Sequence, residues 1–190
     1  MNPLIQAIKN NYPHQLRLLI ELGHDVGVRD EFGDTLLHLA ASSNNVDCAK
    51  VLLRSGMGMA IKNRYGHTPA FTAVQYDCLE MLILLKELGF DIHMNSGHGF
   101  TLLHIAAMRN ALNCAWFLIN QGIDVNHKAH NGATPLNMFD KGNRKDMFNL
   151  LIVNGARYDK ENLYYSETDV FWIPTFKPCL SMSGKGLSLS

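Results

Sequence analysis

The sequence predicts an all-α solenoid, a row of two-helix units laid side by side, and three periodic features carry that expectation. Thr35, Thr68, Thr101 and Thr134 stand 33 residues apart. Gly23, Gly56, Gly89, Gly122 and Gly155 keep the same step, and so do Gly33, Gly66, Gly99 and Gly132. Three landmarks held in one register, without insertion or deletion, are hard to reach by chance. A period of this length belongs to stacked repeats, in which no unit can bury its apolar face alone.

The stretch from Gly33 to Gly56 shows the unit most clearly. Thr35 is placed to cap a first helix, its hydroxyl accepting an orphan backbone N–H. Leu37, Ala40 and Ala41 form an apolar stripe whose small members let another helix approach closely. Asn44 and Asn45 interrupt the pattern, and Val46 to Leu53 restart it as a second helix. Gly56 closes that helix where a left-handed cap is usual.

Four segments carry a family resemblance: Thr35-Leu36-Leu37-His38-Leu39-Ala40-Ala41, Thr68-Pro69, Thr101-Leu102-Leu103-His104-Ile105-Ala106-Ala107 and Thr134-Pro135-Leu136. With Gly122-Ile123-Asp124-Val125-Asn126 at a unit's end, the register resembles the ankyrin repeat. The resemblance implies a solenoid of helix-turn-helix units joined by β-hairpin-like loops. It divides the chain into an ankyrin-repeat domain over 1–160, with repeats at about 2–34, 35–67, 68–100, 101–133 and 134–160, and a non-repeat aromatic tail over 161–190.

Taken in order, the first unit is eroded. Asn2 and Pro3 keep the cap and first-turn proline, but Ile5 replaces the histidine, and Gln6, Lys9, Asn10 and Asn11 make its first helix polar. A terminal repeat needs a polar outer face, so this unit reads as an N-terminal cap. Leu16, Leu18, Leu19 and Leu22 are expected on the inner face of its second helix. Between the two helices of every unit stands Asn11, Asn44, Asp77, Asn110 or Asn143, residue types that tolerate left-handed backbone. The third unit departs from the pattern: Ala70 replaces Leu and Phe71 replaces His, a volume swap, and the loop Ser96-Gly97-His98-Gly99 is glycine-rich. Its second helix, over 79–88, is apolar enough to be central core. The fifth unit places Phe139 and Asp140 where Ala-Ala would admit another helix, which marks a C-terminal cap. The segment beyond it holds Tyr164, Tyr165, Phe171, Trp172, Ile173 and Phe176 with Pro174 and Pro178. It is expected either to shield the last repeat or to dock on a partner.

Bulk composition narrows the function classes. Lys plus Arg and Asp plus Glu number 17 each, so no global field recruits nucleic acid or anionic lipid. Hydrophobic residues make up 47%, too many for a disordered chain. Cys48, Cys78, Cys114 and Cys179 show no paired spacing and read as small apolar residues in a reducing compartment. Lys9, Asn10, Asn11 and His14 interrupt any leader-like run, and the longest apolar run, Met81 to Leu85, is too short to span a bilayer. The expectation is a cytoplasmic monomer without membrane contact; in an exported effector the cytosol would be a host cell's.

No phosphate loop, paired-carboxylate signature or Ser/His/Asp spacing appears, so no enzyme, cofactor or metal is expected. For His38 and His104 the resemblance implies a structural role, an imidazole that ties helix start to loop through hydrogen bonds, as a polar core residue must be satisfied. His93, His98, His127 and His130 flank the fourth unit, where they could make binding pH-sensitive. The resemblance implies protein–protein interaction through loop tips and first helices on the concave side. Interface-prone types on those elements are Phe32, Arg64, Tyr65, His67, Tyr76, His98, Phe100, Met108, Arg109 and His130. The competing role for Phe32, Tyr65 and Phe100 is to brace the loops. An enzyme inhibitor, or a bacterial effector acting on a host-cell protein, is the alternative within binding.

Overall fold

The computed structural model describes residues 2–138 and 145–157. The positions Phe139, Asp140 and Asn143, and the aromatic segment 161–190, lie outside the described residues. Paired helices follow one another: α1 (Pro3–Lys9) with α2 (Pro13–Glu21), α3 (Leu36–Ser42) with α4 (Val46–Arg54), α5 (Pro69–Gln75) with α6 (Leu79–Glu87), and α7 (Leu102–Arg109) with α8 (Leu112–Asn120). A 3-10 helix, Pro135–Met138, precedes α9 (Lys145–Val153).

The first helices α1, α3, α5 and α7 and the 3-10 helix pack in sequence as one layer, and α2, α4, α6, α8 and α9 pack as a second. This is the all-α repeat solenoid that the 33-residue period predicts. Ala40, Ala41, Ala106 and Ala107 are fully buried where first helices meet, since only small side chains let the backbones approach. Leu37, Leu52, Met81, Leu82, Leu85, Leu103 and Leu118 fill the core between the layers. Cys48, Cys78 and Cys114 are buried free thiols, and burial raises all three, Cys48 to about 11. One expectation fails at the first unit. Leu16 is buried, but Leu18 and Leu22 are 55% and 78% exposed: among the described residues α2 packs on one second-layer helix only, α4, and Leu22 stands past the end of α2, where Leu88 of an inner unit is exposed too.

The turns obey the sequence. Asn11, Asn44, Asp77 and Asn110 hold left-handed backbone at φ of 52, 53, 54 and 57°. Their side chains also do something that local propensity does not reveal. Helices α4, α6 and α8 receive no cap from Asn45, Cys78 and Ala111, the residues just before them. Asn44 Oδ1 instead accepts the Met81 N–H at 3.2 Å, in the first turn of α6. Asp77 accepts the Cys114 N–H at 2.9 Å and the Asn113 side-chain amide at 2.9 Å, in the first turn of α8. The residue that reverses one unit thus caps the outer helix of the next, and Asp77 adds a negative charge at a helix N-terminus. Asn11 makes a weaker link, accepting from the Cys48 thiol at 3.7 Å.

Replacing Asp77 by Gly keeps the left-handed turn and removes the cap. Denaturant unfolding is expected to show a loss about 1–2 kcal/mol larger for Asp77→Gly than for Asn11→Gly, which makes the same backbone change without breaking a helix cap.

Candidate functional site

Each unit enters its first helix through a tight loop closed by its own hydrogen bonds. Asp30 N–H donates to the Asp34 carbonyl at 3.1 Å, Asn63 N–H to the His67 carbonyl at 2.9 Å, Ser96 N–H to the Phe100 carbonyl at 2.9 Å and Ala129 N–H to the Ala133 carbonyl at 2.9 Å. Asp30 Oδ1 also accepts the Phe32 and Asp34 N–H groups, and Asn63 Oδ1 those of Tyr65 and His67. These are the hairpin-like loops of the expected repeat.

The threonine and histidine of the motif join one loop to the next. Nδ1 of His38 accepts the Thr35 N–H at 3.2 Å, so the ring proton sits on Nε2, which donates to the His67 carbonyl at 3.0 Å. His104 repeats the arrangement, accepting from the Thr101 N–H at 3.1 Å and donating to the Ala133 carbonyl at 3.0 Å. Burial holds both imidazoles below the ordinary histidine value, against the pull of those carbonyls. His67 is lowered by burial as well.

Two further links follow the same spacing. Arg64 N–H donates to the Phe32 carbonyl at 3.1 Å and His130 N–H to the His98 carbonyl at 3.1 Å. The side chain of Arg64 lies over Gly33, and that of His130 over Gly99, so closely that a Cβ on either glycine would be 2.9 or 2.7 Å away. The third unit breaks every one of these links. Phe71 offers no nitrogen to Thr68 or to the Phe100 carbonyl, and the Thr68 hydroxyl is left buried without a partner. Gly97 has no side chain to lay over Gly66, which meets nothing there. Among the described residues no hydrogen bond joins loop 63–67 to loop 96–100. The loops are therefore tied in two pairs with a seam between them.

The first pair frames a groove of about 510 Å³ between loops 30–34 and 63–67 and helices α3 and α5, which Arg109 of α7 also lines. Five of the residues expected at a partner surface meet here: Phe32, Tyr65, His67, Tyr76 and Arg109. Phe32, Tyr65 and Tyr76 are 47%, 62% and 57% exposed. The Phe32 and Tyr65 rings stack at 6.4 Å, and His67 stacks on Phe71 at 5.6 Å. The other five lie elsewhere. Arg64 donates to the Glu31 carbonyl at 2.6 Å. His98 and His130 belong to the second loop pair, Phe100 meets His104 edge-on at 5.5 Å, and Met108 packs against the core. Asp30, Asn63 and Thr72 also line the groove; the first two were legible only as polar residues starting their loops. Among the described residues no group of three His, Cys, Asp or Glu side chains is placed to hold a metal ion.

Comparison with family descriptions fixes the lineage. The description "ankyrin repeats (3 copies)" matches residues 4–96 and 84–162. The chain belongs to the ankyrin-repeat family. No curated protein matches it. Ankyrin repeats are in general protein–protein interaction modules and typically non-catalytic, and among the described residues no helix of this ankyrin-repeat chain is long and apolar enough to cross a membrane.

Two outcomes are expected from the imidazole links. Thr68→Val removes a buried hydroxyl that bonds to nothing, so thermal unfolding is expected to show no loss, whereas Thr101→Val costs about 1–2 kcal/mol. His38, His67 and His104 have folded-state pKa values below the unfolded value of about 6.5. Their stabilisation is complete above that pH and falls as pH drops below it, where the unfolded chain binds more protons. The melting temperature is expected to fall from pH 7.5 to pH 5, and His38→Gln with His104→Gln to lower it at pH 7.5 and flatten that slope.

Proposed function

We propose that this ankyrin-repeat chain is a protein–protein interaction module that grips another polypeptide without catalysis, and that the groove framed by the first loop pair is its main contact surface. The observation that carries the reading is the convergence of Phe32, Tyr65 and Tyr76, all exposed, on one groove. Exposed aromatic rings that gather on a single concavity are the residues that dominate binding energy in protein interfaces. The loops beneath them are held by backbone and side-chain bonds, so little ordering cost remains for association. Arg64 and His130, by contrast, spend their side chains on neighbouring loops and serve the frame. The chain works in this reading as a cytoplasmic monomer, needing neither cofactor nor metal.

The test is affinity capture from cell lysate with identification by mass spectrometry, comparing the native chain with a Phe32→Ala, Tyr65→Ala, Tyr76→Ala variant. The variant is expected to keep its helical circular-dichroism spectrum and to bind the captured protein at least about tenfold more weakly. Equal capture by a folded variant would move the contact surface away from this groove.

A further inference from the structure

The groove carries a charge pattern as well as aromatic rings. Asp34 and Asp30 stand at its loop edge, and Arg109 at the side of α7. Among the described residues neither carboxylate is in an ion pair, and Arg109 has no acidic partner; the two ion pairs there are Arg17 with Glu21 and Lys50 with Asp47. Asp34 is not free to swing away, because its Oδ1 accepts the Asn63 side-chain amide at 2.7 Å. Arg29, the nearest cation in the sequence, donates to the Gly33 and Lys62 carbonyls instead. A fixed carboxylate thus shares a groove with two stacked rings whose faces attract cations, and a positive charge lines the same groove.

We propose that this groove takes an extended peptide segment of a partner protein, with a lysine or arginine seated between Asp34 and the Phe32–Tyr65 ring pair and an aspartate or glutamate a few residues away meeting Arg109. The proposal rests on the interaction-module reading and adds the chemistry of the bound segment. Asp34, His67 and Arg109 line one groove, which places the two charges close enough for one short segment to reach both. An extended chain advances about 3.3 Å per residue, so the two peptide charges fall within a few positions of one another. The polarity also fixes direction, since a segment laid the other way would set its base against Arg109 and its acid against Asp34. Carboxylates at the loop edge repel the phosphates of a nucleic acid, which leaves a polypeptide as the ligand the charges favour.

The experiment is selection of short random peptides, displayed on phage, against the full chain and three variants. Asp34→Asn keeps the oxygen that Asn63 needs and removes the charge; Arg109→Glu reverses the charge on the exposed end of α7; the triple aromatic variant supplies the control. Peptides that depend on the aromatic residues are expected to pair a basic with an acidic residue at one spacing. They are expected to bind Asp34→Asn about tenfold more weakly, and Arg109→Glu is expected to select a base in place of the acid. Aromatic-dependent peptides that lack the basic residue, or that bind Asp34→Asn and Arg109→Glu as they bind the native chain, would overturn the charge assignment and leave the groove as a contact surface. Selection of no aromatic-dependent peptide would overturn the extended segment itself, while the interaction-module reading would still answer to lysate capture of a folded partner.

Discussion

The imidazole of His38 takes a backbone N–H from its own helix start on one nitrogen and gives a proton to the next unit's loop from the other. That two-ended link, repeated at His104, is the interaction on which the groove depends. A hairpin of two short helices is too small to bury its apolar face, so helix packing supplies most of the stability of the stack. Packing between apolar stripes tolerates sliding, however, and directional bonds do not. Polar contacts made about one repeat length away in sequence fix how far each unit is displaced from the last, and so fix where the loop side chains stand.

The same logic governs the outer layer. Asn44 and Asp77 adopt a left-handed backbone for their own turn and then satisfy the first amides of α6 and α8. One residue meets two needs, a reversal and a neighbour's cap. The acid at Asp77 is also the more effective cap, because it faces the positive end of a helix. Where the third unit substitutes Phe71 and Gly97, the inner links lapse while the helix packing of α5 on α7 persists. The stack therefore keeps its core and relaxes only along its loop edge.

Much of this was legible in the sequence. The 33-residue step gave the architecture, the Asn and Asp positions gave the left-handed turns, and the buried role of His38 and His104 followed from the family resemblance. What could not be read were pairings across units. Phe71 looked like a volume swap, yet its larger consequence is a missing nitrogen that orphans the Thr68 hydroxyl. Gly97 reads only as part of a glycine-rich loop, yet it matters because Arg64 and His130, at the equivalent positions, cover the preceding glycines. The contacts that Arg64 and His130 make with the preceding loop were not legible either, because composition shows a residue's type and not what it touches one repeat away. Leu18 and Leu22 read as inward-facing because helical spacing shows which face is apolar and not whether a neighbour covers it.

Phe32 and Tyr65 stand together because the first loop pair is joined, and α5 brings Tyr76 to the same groove. Amide hydrogen exchange on the free chain measures that frame directly. The amides of Arg64 and His130, each bonded to the loop before it, are expected to exchange slowly, and that of Gly97 at the rate of an open loop. Protection of Gly97 equal to that of Arg64 and His130 would contradict the paired-loop account.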